Sequence, residues 1–162
     1  MRLKHALLAT TIATAAFALG SCYKPATKTA AAPAFSVVEA TIPDMQKAMQ
    51  EGRTTAREIT AQYLARIGMY EDRLHAAVYV NPNALKEAEE LDKERAAGHV
   101  RGPLHGSPIA LKDNIMTTDM PTTGGMLAFK TYVPPYSATL VDNLKKAGAI
   151  IIAKATMSEL AG

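Results

Sequence analysis

The run of residues 149–153, Ala-Ile-Ile-Ile-Ala, constrains the fold more than any other feature of this chain. Such an aliphatic and β-branched run is typical of a strand that is buried on both faces of a sheet. A helical pattern covers residues 137–147 before it, Gly148 ends that pattern, and Thr156 begins another helix after it. A helix, a glycine turn, a buried strand and a second helix in succession are characteristic of the α/β class. The sequence therefore predicts an α/β fold.

The residues before this run predict several helices and two short strands. Thr41 is a helix cap with an acidic residue in the first turn, and Thr55 opens a capping box with Glu58. A further helix with a charged outer face is predicted at residues 84–97. Short apolar runs, each bounded by turn residues, predict strands at 76–80 and 108–111. Together these elements amount to one domain.

The N-terminus has the features of an export signal. Arg2 and Lys4 precede an apolar run at residues 6–19, and the small residues Gly20 and Ser21 follow it. This order is typical of a secretory signal peptide, and the run is too short for a stable transmembrane span. We therefore expect residues 1–21 to be a signal peptide and the protein to be exported.

Cys22 is the one cysteine of the chain and comes directly after that signal. The sequence Leu19-Gly20-Ser21-Cys22 resembles the bacterial lipobox, in which cleavage precedes a cysteine that then carries diacylglycerol. The prediction is a lipid anchor at Cys22, a flexible tether over residues 22–35 and a domain over 36–162 at the periplasmic or cell surface. The alternative is an ordinary signal peptide that is cleaved nearby, with no role for Cys22.

The charge distribution argues against a nucleic-acid partner. The formal net charge is +3, but residues from 36 onward carry 14 basic and 15 acidic side chains. That domain has no basic stripe and no aromatic-rich sheet pattern for nucleic acid. His75, His99 and His105 do not have metal-ligand spacing, so we expect them in loops or at the surface and predict no metal site.

Lys112 is the candidate catalytic residue. It follows an apolar strand, and Ile115 follows its two polar neighbours, so its surroundings are expected to be poorly hydrated. Desolvation disfavours the charged form of a lysine, and an uncharged lysine can act as a general base. Two simpler interpretations remain: a strand-end lysine that reaches solvent, and a lysine paired with Asp113.

The surrounding residues resemble the first signature block of the amidase signature family: Leu104-His105-Gly106-Ser107-Pro108-Ile109-Ala110-Leu111-Lys112-Asp113-Asn114. The resemblance continues in order through residues 120–125, 132–135, 138–151 and 154–160. Several blocks in the same order are more specific than one short motif. The earlier helices resemble the N-terminal helices of the family more weakly.

The resemblance implies hydrolysis of a small-molecule carboxylic amide by a Ser–Ser–Lys triad, with Lys112 as the base and without a cofactor. It also implies N-terminal helices followed by the start of a mixed sheet flanked by helices. In the family the Gly/Ser-rich block with both serines lies after the element that matches residues 158–160. We therefore expect residues 36–162 to be the N-terminal part of a longer amidase domain, inactive alone, with an uncovered edge on the strand at 149–153.

Two other functions are compatible with the same residues. One is the A subunit of glutamyl-tRNA amidotransferase, which shares this signature. The export signal argues against it, because that enzyme acts on tRNA in the cytoplasm. The other is a non-catalytic lipoprotein that uses the scaffold as a binding domain. Two serines in a following Gly-rich block favour the enzyme, and their absence favours the binding domain. The sequence does not predict an oligomeric state.

Overall fold

The computed structural model describes residues 34–162. The expected signal peptide, Cys22 and nearly all of the expected tether lie outside these residues, so export, lipid anchoring and the domain boundaries stay predictions. Among the helices of the described part, none is both long enough and apolar enough to cross a membrane.

The described residues form a mixed α/β structure, as predicted. Two single 3₁₀ turns, at Leu127–Phe129 and Glu159–Ala161, accompany the regular elements. The helices are α1 (Ile42–Gln50), α2 (Ala56–Leu74), α3 (Ala84–Ala96) and α4 (Thr139–Lys146). The strands are β1 (Ala77–Val80), β2 (Pro108–Lys112) and β3 (Ile150–Ala155).

The strand β3 is the centre of a three-stranded sheet with the order β1-β3-β2. It pairs antiparallel with β1 and parallel with β2, so the sheet is mixed as the family resemblance implies. Its residues from Ile150 to Lys154 are all buried, which confirms the predicted two-sided burial. The expected uncovered edge on this strand is wrong, because within residues 34–162 both of its edges are paired.

Both predicted helix caps are present. The Thr41 hydroxyl accepts a hydrogen bond from the Asp44 backbone N–H at 3.3 Å, and the Asp44 carboxylate accepts from the Thr41 N–H at 3.0 Å. The hydrogen bond from the Thr41 side chain, more than any charge nearby, holds the pKa of Asp44 below its ordinary value. Thr55 and Glu58 form the same reciprocal pair at the start of α2. Each pair satisfies two backbone groups that a helix start leaves free.

Each face of the sheet carries an apolar core. One core joins the sheet to α1, α2 and α3, and its largest members include Met45, Ile59 and Ile152. The other joins the sheet to α4 and to the loop after β2; its buried members are Leu111, Met120, Val141 and Ile151.

A register shift in β3 decides which core each of its residues faces. Ile109 pairs with Ile151, but the next residue, Ala110, pairs with Ala153, so Ile152 is skipped. Successive strand residues normally alternate between faces, and an extra residue resets that alternation. Ile152 and Ala153 accordingly both lie in the core that joins the sheet to α1, α2 and α3, which we call the helical core. The shift places Lys154 on the opposite face, beside Asp113.

The predicted helix that begins at Thr156 is absent from the structure. Its cap atoms are used elsewhere: the Thr156 hydroxyl donates to the His75 carbonyl at 2.5 Å, and the Thr156 N–H donates to the Ala76 carbonyl at 2.9 Å. These bonds tie the end of β3 to the end of α2. Only one 3₁₀ turn follows, and Leu160 lies in it at φ 48°, outside the helical region.

The sequence predicts His105 in a loop or at the surface; it does lie in the turn before β2, but it is buried there. Its side chain is 1% exposed, and its Nε2 lies 2.9 Å from the Leu91 carbonyl. Its Nδ1 accepts from the Arg101 N–H at 3.2 Å, so the ring satisfies two backbone groups inside the protein. A Cβ at Gly148, where φ is +87°, would lie 2.7 Å from the His105 Cα. Glycine there lets β3 start against this histidine.

Candidate active site

Lys112 is the last residue of β2 and pairs with Ala155, the last residue of β3. The two strands are parallel, so their carboxyl ends meet at one edge of the sheet. Sites in α/β proteins characteristically form at that edge. The structure thus places the candidate base where the fold class usually places functional groups.

The side chain of Lys112 is exposed, so the expected poorly hydrated surroundings are absent from the part of the chain that is described. The physical reason is the pleat of β2: Leu111 and Asp113 are buried on one face, and Lys112 projects from the other. Asp113 has other partners, so the alternative of a Lys112–Asp113 pair also fails. These findings concern the environment of Lys112 and leave its catalytic role a prediction.

The backbone around Lys112 is held by three hydrogen bonds. The Asp113 N–H donates to the Ala155 carbonyl at 3.0 Å, and the Ile115 N–H donates to the Lys112 carbonyl at 3.0 Å. The Gly124 N–H donates to the Asp113 carbonyl at 3.1 Å. The exposed side chain therefore projects from a fixed strand end.

Asp113 connects that strand end to the next loop. It is fully buried, and its Oδ2 accepts from the Thr123 N–H at 3.2 Å and from the Thr123 hydroxyl. The Thr123 Oγ1 in turn accepts from the Gly125 N–H at 3.0 Å. One carboxylate oxygen thus fixes the start of the loop that matches the second block of the family resemblance.

Unlike Lys112, Lys154 is a lysine whose side chain is shielded from water. Its side chain is 0% exposed, and its Nζ lies 3.4 Å from the Asp113 Oδ1. It donates to the Thr122 Oγ1 at 2.7 Å and lies 3.4 Å from the Pro121 carbonyl oxygen. Burial lowers the pKa of Lys154, and the negative charge of Asp113 only partly opposes this effect.

Sequence reasoning missed Lys154, although a signal was available. The aliphatic run that predicts the buried strand continues directly into this lysine. A lysine inside a strand that is buried on both faces is expected to be buried itself, and Lys154 is fully buried, two residues after the skipped Ile152.

The last block of the family resemblance, residues 154–160, closes over the loop at Thr123. The Leu160 N–H donates to the Gly124 carbonyl at 2.8 Å. A Cβ at Gly125, where φ is +79°, would lie 2.8 Å from the Ser158 carbonyl oxygen, so the two segments approach as closely as only glycine permits. The separate sequence blocks therefore meet in space around Asp113.

The serines of the described residues have partners other than Lys112. The Ser107 Oγ accepts from the Gln46 side chain at 3.0 Å, and the Ser137 Oγ accepts from the Thr118 N–H at 3.3 Å. The Ser158 hydroxyl donates to the Gly162 carbonyl at 2.9 Å. None of these hydrogen bonds involves Lys112.

An apolar groove of about 350 Å³ lies on the face of the sheet from which Lys112 projects. Its walls include Ala110 and Ala155, which flank Lys112, and Tyr63 and Ile67 of α2. No group of three or more His, Cys, Asp or Glu side chains suited to a metal occurs within residues 34–162. Arg66 and Glu71 supply the charged groups of the groove wall, and Lys112 lies next to it at the strand end.

A model of the Amidase family matches residues 58–162. The glutamyl-tRNA(Gln) amidotransferase A subunit from Rhodopirellula baltica is 42% identical over 119 residues, which are 73% of this chain and 24% of that protein. Peptide amidase from Stenotrophomonas maltophilia is 43% identical, with a TM-score of 0.73 over 75% of this chain and 25% of that one. An amidase family protein from Bacillus anthracis is 38% identical, with a TM-score of 0.72, and the match covers 76% and 25% of the two chains.

The chain thus spans about a quarter of the length of these relatives. The matched residues include every block on which the resemblance depends, and the relatives are enzymes that carry amidase or amidotransferase names. The fold and the family agree with the sequence-based expectation. The chain belongs to the amidase signature family.

Proposed function

We propose that the protein is an amidase that hydrolyses carboxylic amides, other than peptide bonds, to an acid and ammonia or an amine. The observation that carries the proposal is the position of Lys112: it projects from the carboxyl end of a parallel strand, and the matched blocks of the family meet directly behind it. A lysine held in this way can present its amine to a reacting group with little freedom of movement.

In the proposed mechanism, uncharged Lys112 takes a proton, through a bridging serine, from a second serine that attacks the amide carbonyl. The same chain of groups returns the proton to the leaving nitrogen, and water then releases the acyl group. A serine hydroxyl is a weak nucleophile until a neighbouring base accepts its proton, and a lysine can do this without histidine. Both serines are proposed to come from the Gly/Ser-rich block that follows, in the family, the element matching residues 158–160.

The test is amide hydrolysis by the protein expressed from its complete reading frame, with a simple aryl amide as substrate. Lys112→Ala is expected to reduce kcat by about 10²–10⁴-fold, the usual contribution of a general base. Lys86→Ala is the matched control, because Lys86 is an exposed lysine on α3. Equal activity of the Lys112 and Lys86 variants would reject the role of Lys112.

A second candidate function is that of an amidotransferase A subunit, because a relative at 42% identity carries that name. The discriminating measurement is the fate of the nitrogen. The proposed amidase releases it into solution without any other macromolecule. Ammonia release or transfer that requires a glutamyl-tRNA would favour the amidotransferase instead, and binding of an amide without turnover would favour a non-catalytic binding domain.

Export and lipid anchoring form a separate proposal that rests on the sequence at residues 1–22. Wild type and the control Ser21→Ala are expected in the membrane fraction, and Cys22→Ala in the soluble fraction, because acyl chains tether a protein without spanning the bilayer. Wild-type protein in the soluble fraction would contradict the anchor.

A further inference from the structure

The proposed mechanism leaves one buried polar cluster without a function. The cluster consists of Asp113, Thr122, Thr123 and Lys154, and each of these residues is at most 8% exposed. It lies on the face of the sheet opposite to the side chain of Lys112. The cluster therefore cannot act on a substrate that Lys112 contacts directly.

The cluster joins three segments of the chain behind Lys112. Asp113 directly follows the last residue of β2, Thr122 and Thr123 belong to the loop after it, and Lys154 belongs to β3. Lys154 contacts both of the others: its Nζ lies 3.4 Å from the Asp113 Oδ1 and 2.7 Å from the Thr122 Oγ1. Asp113 Oδ1 has no hydrogen-bond partner, so the ammonium of Lys154 is the group that compensates its charge.

The location of the cluster is a property of the fold rather than of the local sequence alone. Without the register shift at Ile152, the alternation of β3 would turn Lys154 toward the helical core. A bulge that re-aims a side chain is a recurrent feature beside functional sites. Here the bulge brings a cation to the residue that directly follows the proposed base.

Stability is a weak explanation for such a pair. Removing two charges from water is costly, and well-packed apolar residues often serve stability equally well or better. What a buried and hydrogen-bonded pair does supply is a defined geometry, because its partners must keep their positions to remain satisfied. Lys112 directly precedes Asp113 in the chain, so the position of its backbone is tied to this geometry.

We propose that Lys154 is a positioning residue for the reaction: with Asp113 and Thr122 it fixes the end of β2 and thereby the amine of Lys112. The inference rests on the proposed function, since it assigns Lys154 a role only through Lys112. Lys154 itself contacts neither substrate nor nucleophile.

The first test is Lys154→Met in the complete protein, with kcat and KM measured separately for an aryl amide. Methionine keeps much of the length of lysine and removes the ammonium. Displacement of the base by about 1 Å predicts a fall in kcat of about 10²-fold with KM nearly unchanged. A wild-type kcat in folded Lys154→Met would overturn the proposal.

A double variant separates positioning from folding. Lys154→Met alone leaves the Asp113 carboxylate buried and uncompensated, whereas Asp113→Asn with Lys154→Met removes both charges and keeps an acceptor for Thr123. We expect the double variant to recover the melting temperature without recovering kcat. Recovery of both quantities together would mean that the pair serves stability alone, which contradicts the proposal.

Two further variants complete the set. Thr122→Val keeps both charges and removes only the hydroxyl that accepts from Lys154, so it is expected to fold. It should lower kcat by about tenfold, less than Lys154→Met, because only one of the contacts that position Lys112 is lost. Lys145→Met is the matched control: it removes a partly exposed pair with Asp119 at 2.5 Å, outside the cluster, and should keep the wild-type kcat. A wild-type kcat in Thr122→Val would count against the proposal.

The same assay distinguishes the two levels of inference. If Lys112→Ala retains activity, the proposed function fails, whatever the Lys154 variants do. If Lys112→Ala is inactive while the folded Lys154 and Thr122 variants keep their kcat, the proposed function stands and the positioning role of Lys154 fails.

Discussion

Two lysines lie at the ends of neighbouring parallel strands, and their environments are opposite. Lys112 pairs in register with Ala155, and Lys154 pairs with Leu111, so the two lysines are nearly level in the sheet. Lys112 is exposed on the side of the apolar groove, whereas Lys154 is fully buried beside Asp113. The comparison shows that the pleat and a single bulge, rather than the apolar character of the preceding residues, decide which lysine loses its water.

The largest expected effect on stability comes from removing the buried lysine. Lys154→Met leaves a buried carboxylate without its partner, and breaking a buried pair in this way costs about 3–5 kcal/mol of the free energy of unfolding. Lys112→Met, the matched change on the exposed face, is expected to stay within about 0.5 kcal/mol of wild type. Urea denaturation of the two variants measures the difference, and equal losses would contradict the contrast in burial.

A smaller effect is expected from the hydrogen bond that Lys154 donates to Thr122. Thr122→Val removes the acceptor at 2.7 Å, and hydrogen bonds to charged groups contribute about 1.5–3 kcal/mol. Thr118→Val is the control, because its hydroxyl lies at an exposed site 3.4 Å from the Ser137 Oγ and should matter by less than about 0.5 kcal/mol. The same denaturation experiment compares them, and a similar loss in both would show that Thr122 is not a partner of a buried charge.

The smallest of the three expected effects is a dependence of stability on pH. It is small because the negative charge of Asp113 partly opposes the lowering of the Lys154 pKa by burial. Burial lowers the pKa of Lys154 from its ordinary value of 10.5, so between the lowered value and 10.5 the unfolded chain binds more protons than the folded one. The free energy of unfolding should therefore rise with pH through that interval. Denaturation at a series of alkaline pH values should show this rise in wild type and in Lys112→Met.

Lys154→Met supplies the control for the pH dependence. It lacks the titrating group, so its stability should not show this rise. An identical rise in wild type and in Lys154→Met would assign the effect to another group and would remove the evidence for a desolvated lysine at position 154.

The sequence was sufficient for the features that depend on local patterns. The caps at Thr41 and Thr55 follow from hydroxyl and carboxylate at a fixed spacing, and β3 follows from its uninterrupted aliphatic run. The position of Lys112 at a strand end follows in the same way. Local patterns sufficed because each of these features is decided by residues that are close in the chain.

The features that sequence reasoning missed depend on distant residues. His105 is buried because Leu91 and Arg101 supply partners for its ring, and Thr156 does not cap a helix because its hydroxyl bonds to the end of α2. The partners of Lys154 lie more than 30 positions away in the chain, at Asp113 and Thr122. No spacing rule connects such residues before the sheet is known.

The most direct test of the account is kcat for amide hydrolysis by Lys112→Arg in the complete protein. Arginine keeps a positive charge at the same strand end but stays protonated in proteins, so it cannot accept a proton. If Lys112 acts as the base, Lys112→Arg should lose as much activity as Lys112→Ala, about 10²–10⁴-fold. A near-wild-type kcat in Lys112→Arg, with Lys112→Ala inactive, would show that position 112 supplies a cation rather than a base and would contradict the proposed mechanism.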